Sequence, residues 1–201
     1  MASSNIRLIW FQGTDVTKLE QQRRFSFVDC LNSNDVSSES DALASSEKTI
    51  SDAITKISGE DRQVLLILDN PDVLLATGLA TAHRLTHFIM KLRTLVHATV
   101  ISCSADAPFI SAAREHTALP LDAELAAFIA QQAHAARYVL SVRPLDTGAA
   151  KDISGVLRVT RGGGVYDSDD AEKGEIRDME ALYLVQRDGN AKVFGRGAEM
   201  R

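Results

Sequence analysis

The sequence predicts an α/β fold: a mainly parallel sheet flanked by helices, with antiparallel strands added at its C-terminal side. Three observations carry that expectation. Apolar runs of strand length alternate with stretches of helical period through the first two thirds of the chain. After that, "RYVLSVRPL", "GVLRVTR", "ALYLVQ" and "AKVFGR" follow one another as strands, with no helical period between them. The last two are joined by "RDGN", whose Asp188-Gly189 pair signals a hairpin. With 201 residues and 45% hydrophobic content the chain is long enough for one sizeable core, or at most two small ones, and a single domain over 1–201 is expected. No repeat period is visible.

Taken in order, "IRLIWF" (Ile6 to Phe11) and "RFSFVD" (Arg24 to Asp29) read as strands. The Ser-rich "LNSNDVSSESDALASSEKT", residues 31–49, reads as a mobile loop. A short helix should follow, because Ile50, Ala53, Ile54 and Ile57 share one face at spacings of three and four. "QVLLIL" is apolar at every position but its first, as a parallel strand buried on both faces would be. From Val73 to Val96 the pattern is helical, with a stripe of Leu85, Ile89, Leu92 and Val96 flanked by Phe88 and Leu95. "ATVISC" (Ala98 to Cys103) is another buried strand. Helices are expected over Pro108 to Glu115 and over Asp122 to Ala136, where Asp122 follows Pro120 and favours the positive end of the dipole. Residues 162–178 read as a flexible loop between two antiparallel strands.

Composition limits what the chain does. A net charge of -5 and a pI near 5.5 argue against gripping nucleic acid unaided, because such binding rests on Lys and Arg neutralising phosphates. Cys30 and Cys103 lie at the ends of apolar segments without metal-ligand spacing, which favours buried free thiols in a reducing compartment. The start "MASSNIRLIWFQ" resembles neither a signal nor a transit peptide, and no window approaches a membrane span. An intracellular, soluble protein with no membrane contact is expected.

The residues that could carry chemistry do not assemble into a known device. "VLLILDNPD" (Val64 to Asp72) has the form of an apolar strand ending in the acidic residue of a nucleotide hydrolase. That role needs a Gly-rich loop ending in Lys-Ser or Lys-Thr, whose backbone N–H groups cradle the phosphates, and the chain contains no Gly-Lys dipeptide. Pro71-Asp72 reads equally well as a helix start stabilised by the dipole. His83 and His87 in "HRLTH" have the i, i+4 spacing of a zinc pair, but Arg84 stands where a zinc protease needs Glu, and no third ligand is indicated. "RGGGV" (Arg161 to Val165) follows a strand as a phosphate loop does, yet acidic "YDSDDAEKGE" comes next and offers no helix N-terminus to an anion. No catalytic, cofactor-binding or metal-binding residue is expected, and no enzyme.

A resemblance appears in the C-terminal third. "RPLDTGAAKDISGVLRVTRGGG", Arg143 to Gly164, is similar to the signature of the Elongator complex protein 6 family: a Pro-Leu-x-Thr-Gly turn, an Ala-Lys-Asp-Ile-Ser-Gly segment, and a strand ending Arg-Gly-Gly. "ALYLVQRDGNAKVFGRG" resembles the family's closing strands, with Tyr183-Leu184 and Lys192-Val193-Phe194 in matching places. "RFSFVDCL" and "VLLILDNPDVLLA" are similar to its earlier strands, so the likeness runs along most of the chain in order. Family members usually carry a further strand-loop-helix unit before the equivalent of "IRLIWF", of ~30 residues or more in a β-α repeat.

The resemblance implies a RecA-like fold lacking Walker A, with no catalysis and no cofactor. It implies assembly with Elongator subunits 4 and 5 into a hexameric ring, and with the remaining subunits of the complex, in cytoplasm and nucleus. The ring would bind tRNA and support modification of its wobble uridine. Within the signature, Arg143, Lys151, Arg158 and Arg161 fall on or beside two strands and their loops, which makes Lys151, Arg158 and Arg161 candidates for contact with tRNA phosphates. Ordinary solvated charges or interface ion pairs are the competing reading of the same residues. Two other functions stay open: a nucleotide hydrolase whose phosphate loop comes from another chain, and a monomeric regulatory binding module.

Overall fold

The structure is a computed structural model that describes residues 15–30, 39–59, 62–105, 119–145, 148, 150, 152–165 and 178–195. "IRLIWF" and the helix expected over Pro108 to Glu115 lie outside the described residues. The chain falls into two compact units, Met1–Ala130 and Gln131–Arg201.

In the first unit, α1 (Val16–Gln21) is opened by Asp15, whose carboxylate accepts from the Lys18 N–H at 3.2 Å as an N-cap does. Residues 25–29 follow without a ladder partner among the described residues, so the strand expected at "RFSFVD" is not formed there. Apolar alternation reports which side chains turn inward, and Val28 and Cys30 do pack on the core, but alternation alone supplies no neighbouring strand.

Helix α2 (Glu39–Ile57) overturns the loop reading of its first eleven residues. Serines favour turns and caps over helix interiors, which is what that reading registered. Packing decides instead: Leu43, Ser46, Ile50 and Ile54 recur at spacings of three and four, and all are buried. Residues 31–38 of the expected loop lie outside the described residues.

The long helix expected from Val73 to Val96 is broken in two. Helix α3 (Val73–Ala76) ends at Gly78, which adopts φ +71, a left-handed conformation that only glycine takes freely. Helix α4 (Ala82–Arg93) restarts after Thr81, whose hydroxyl accepts from the Arg84 N–H, while the Glu124 carboxylate accepts from the Ala82 N–H. The expected stripe is the centre of the core: Leu85, Ile89 and Leu92 are each 0% exposed, with Phe88 at 6%. Leu75 and Phe128 join them, the latter from α5 (Pro120–Ala135), which begins at its proline as N1 position favours.

Strands β1 (Leu65–Asp69) and β2 (Ala98–Ser102) pair in parallel, Leu65 against Ala98 through Asp69 against Ser102. Leu66, Leu68 and Ile101 face the core. The opposite face does not match the expectation of burial on both sides, since Leu65 is 54% and Ile67 62% exposed. An apolar run shows that both faces are greasy without showing what covers the second.

In the second unit, β3 (Tyr138–Arg143), β4 (Gly155–Arg161), β5 (Met179–Val185) and β6 (Ala191–Gly195) form an antiparallel meander in that order. All four expected strands are present. The β5–β6 hairpin turns through Arg187-Asp188-Gly189, with Gly189 at φ +84 and Gln186 N–H donating to the Asn190 carbonyl at 2.8 Å. Backbone and side-chain donors of Asn190 hold the exposed Asp188 carboxyl below its ordinary value. Among the described residues the protein is therefore α/β with two sheets, two parallel strands and four antiparallel, and the parallel pairing does not predominate as expected. No described helix is long and apolar enough to cross a membrane.

Candidate functional site

Two places hold the sequence features that invited a functional reading: the C-terminal ends of β1 and β2, and the signature strands of the meander.

At the strand ends the backbone brings Asp69 opposite Ser102. Ser102 Oγ donates to Asp69 Oδ1 at 2.5 Å, and the Asn70 N–H donates to Ser102 at 3.1 Å, with Asn70 at φ +49 making the sharp exit from the strand. Asp72 does not cap α3, as its position would suggest. Its side chain is buried at 6% exposure and Oδ2 accepts from the Ser104 N–H at 3.2 Å, tying the loop after β1 to the loop after β2. Oδ1 of the same carboxylate has no partner among the described residues and is sealed from solvent. Burial, with the Asp72 carboxylate adding to it, pushes the nearby Cys103 thiol up to about 12; burial also raises Cys30, against a hydrogen bond from Ser46. Both thiols are free. Asp69 and Asp72 thus act in hydrogen bonds that close the strand ends, and no group of three metal-ligating side chains forms among the described residues.

His83 and His87 lie on the exposed side of α4, away from the Leu85, Ile89 and Leu92 stripe. A groove of ≈ 530 Å³ runs between α2 and α4, with the Lys91–Glu47 ion pair (3.2 Å) at its rim. Its Thr55, Ser58 and Thr94 hydroxyls donate to carbonyls of their own helices, so it presents few converging polar groups to a ligand.

In the meander, the register decides where the basic candidates go. Successive residues of a strand face opposite sides, so Arg158 and Arg161 lie on different faces of β4. Arg158 stands opposite Ser141 and Glu180, on the face that also carries Arg143; Arg143 Nη2 meets Glu180 Oε1 at 3.6 Å. Arg161 stands opposite Tyr138, over whose ring the Arg137 guanidinium sits at 5.6 Å. Lys151 lies outside the described residues. Arg158 and Arg161 therefore do not share one face of the sheet.

The glycines of the signature, which sequence reasoning took as loop flexibility, are packed. The Gly162 N–H donates to the Arg137 carbonyl and the Gly164 N–H to the Ala136 carbonyl, both at 3.0 Å, and Gly163–Val165 form a 3-10 turn. Both acceptors lie just past the end of α5. A Cβ on Gly162 would lie 2.0 Å from the Ala136 oxygen, and one on Gly163 2.5 Å from the His134 carbonyl oxygen. Residues 162–165 are thus not the flexible start of the expected loop; residues 166–177 lie outside the described residues. Gly155 is constrained in the same way, since a Cβ there would lie 2.4 Å from the Arg143 carbonyl oxygen and 2.8 Å from the Tyr183 hydroxyl, while Ser154 Oγ accepts from the Val185 N–H. The signal that would have revealed this was the glycine run itself, read as close approach of backbones instead of freedom.

A model of the family described as Elongation complex protein 6 matches residues 4–177 of this chain. The Elongator complex protein 6 homolog of Schizosaccharomyces pombe is 30% identical over 132 residues, which are 66% of this chain and 47% of that protein. Elongator complex protein 6 of Saccharomyces cerevisiae is 27% identical over 156 residues, 75% of this chain and 55% of that protein. The chain spans about half the length of the curated relatives it matches. A family match that covers α1 to β4 makes one conclusion: this chain belongs to the Elongation complex protein 6 family.

Proposed function

We propose that this chain is a non-catalytic subunit of Elongator, which assembles with Elongator subunits 4 and 5 into a hexameric RecA-like ring. The ring binds tRNA and supports modification of the wobble uridine, in cytoplasm and nucleus. The observation that carries the reading is the family match over residues 4–177.

Two physical features support a contribution through surface and not through chemistry. The strand-end carboxylate that a RecA-like hydrolase directs at its metal is here engaged by the Ser102 hydroxyl, and its neighbour Asp72 is buried against Ser104. The sequence also lacks the Gly-Lys loop needed to hold phosphates. With a net charge of -5, RNA binding by such a chain depends on local cations and on partners.

The tRNA part of the reading is tested in the assembled ring, with Lys151→Glu, Arg158→Glu and Arg161→Glu made one at a time because the last two lie on opposite faces of β4. Each true phosphate contact should reduce the slope of log affinity against log salt by about 0.7–0.9. Unchanged slopes for all three variants would remove these residues from the tRNA surface.

A further inference from the structure

We draw no further inference here: the strongest candidate, the apolar face of the four-stranded antiparallel sheet that leaves Leu140, Val142 and Val193 exposed, carries nothing because nothing in the structure shows what covers it.

Discussion

At Gly162 there is no room for a methyl group: the atoms it would meet are the Ala136 and Ala133 carbonyl oxygens, at 2.0 and 2.7 Å, and backbone yields less readily than a flexible side chain. Gly162→Ala should therefore destabilise the protein by about 1–3 kcal/mol, the usual range for overpacking. Gly195→Ala is the control, since a Cβ there meets nothing within 4 Å, and a change within about 0.5 kcal/mol is expected at such an exposed site. Denaturant midpoints of the two variants read the difference; equal midpoints would mean that the glycine run is loop and not clamp. Cys103 gives a second residue-level outcome. Its thiol, pushed up to about 12 by burial and by the Asp72 carboxylate, is almost wholly protonated at pH 8. A free cysteine near 8.5 holds roughly a thousandfold more thiolate there. Alkylation of native Cys103, followed by peptide mass spectrometry, should be at least about a hundredfold slower than in urea. Similar rates in both conditions would contradict the buried setting.

Among the elements, α4 was the most legible in the sequence and α2 among the least. The α4 stripe of Leu85, Ile89 and Leu92 is periodic and strongly apolar, and none of its three residues is exposed at all. Truncating any of the three to Ala should cost about 2–5 kcal/mol. Met90→Ala, on the 57% exposed side of the same helix, should stay within about 0.5 kcal/mol. Thermal or urea unfolding of the four variants checks this, and comparable losses at all four positions would refute the assigned facing. In α2 the same periodicity was present at Leu43, Ser46, Ile50 and Ile54, but one of its four buried positions is a serine and the segment is otherwise Ser-rich, so composition masked the period. The break at Gly78 was readable as a single glycine only once its positive φ was known. β1 was correct in position and in being a parallel strand, yet local sequence holds no record of which layer lies on its second face. The four C-terminal strands were all legible because each alternates or runs apolar between clear turn residues. Of the candidate site, residue types were legible and geometry was not: whether Arg158 and Arg161 share a face depends on strand register, which their separation of three residues settles only once both are known to lie in one regular strand.

For the molecule as a whole, the account is of an acidic chain whose signature residues hold its own strands and helix ends together. Its net charge of -5 leaves little to attract RNA unaided. Apolar side chains remain exposed on both sheets, Leu65, Ile67 and Val100 on the parallel pair and Leu140, Val142 and Val193 on the meander. Membership of the Elongation complex protein 6 family points to a subunit of an assembly. The central claim is therefore assembly, and its most direct test is to purify the chain together with Elongator subunits 4 and 5 and weigh the product by size-exclusion chromatography with light scattering. The account predicts one species that contains all three chains at the mass of a hexamer. Elution of this chain by itself, as a monomer, in the presence of both partners would contradict it.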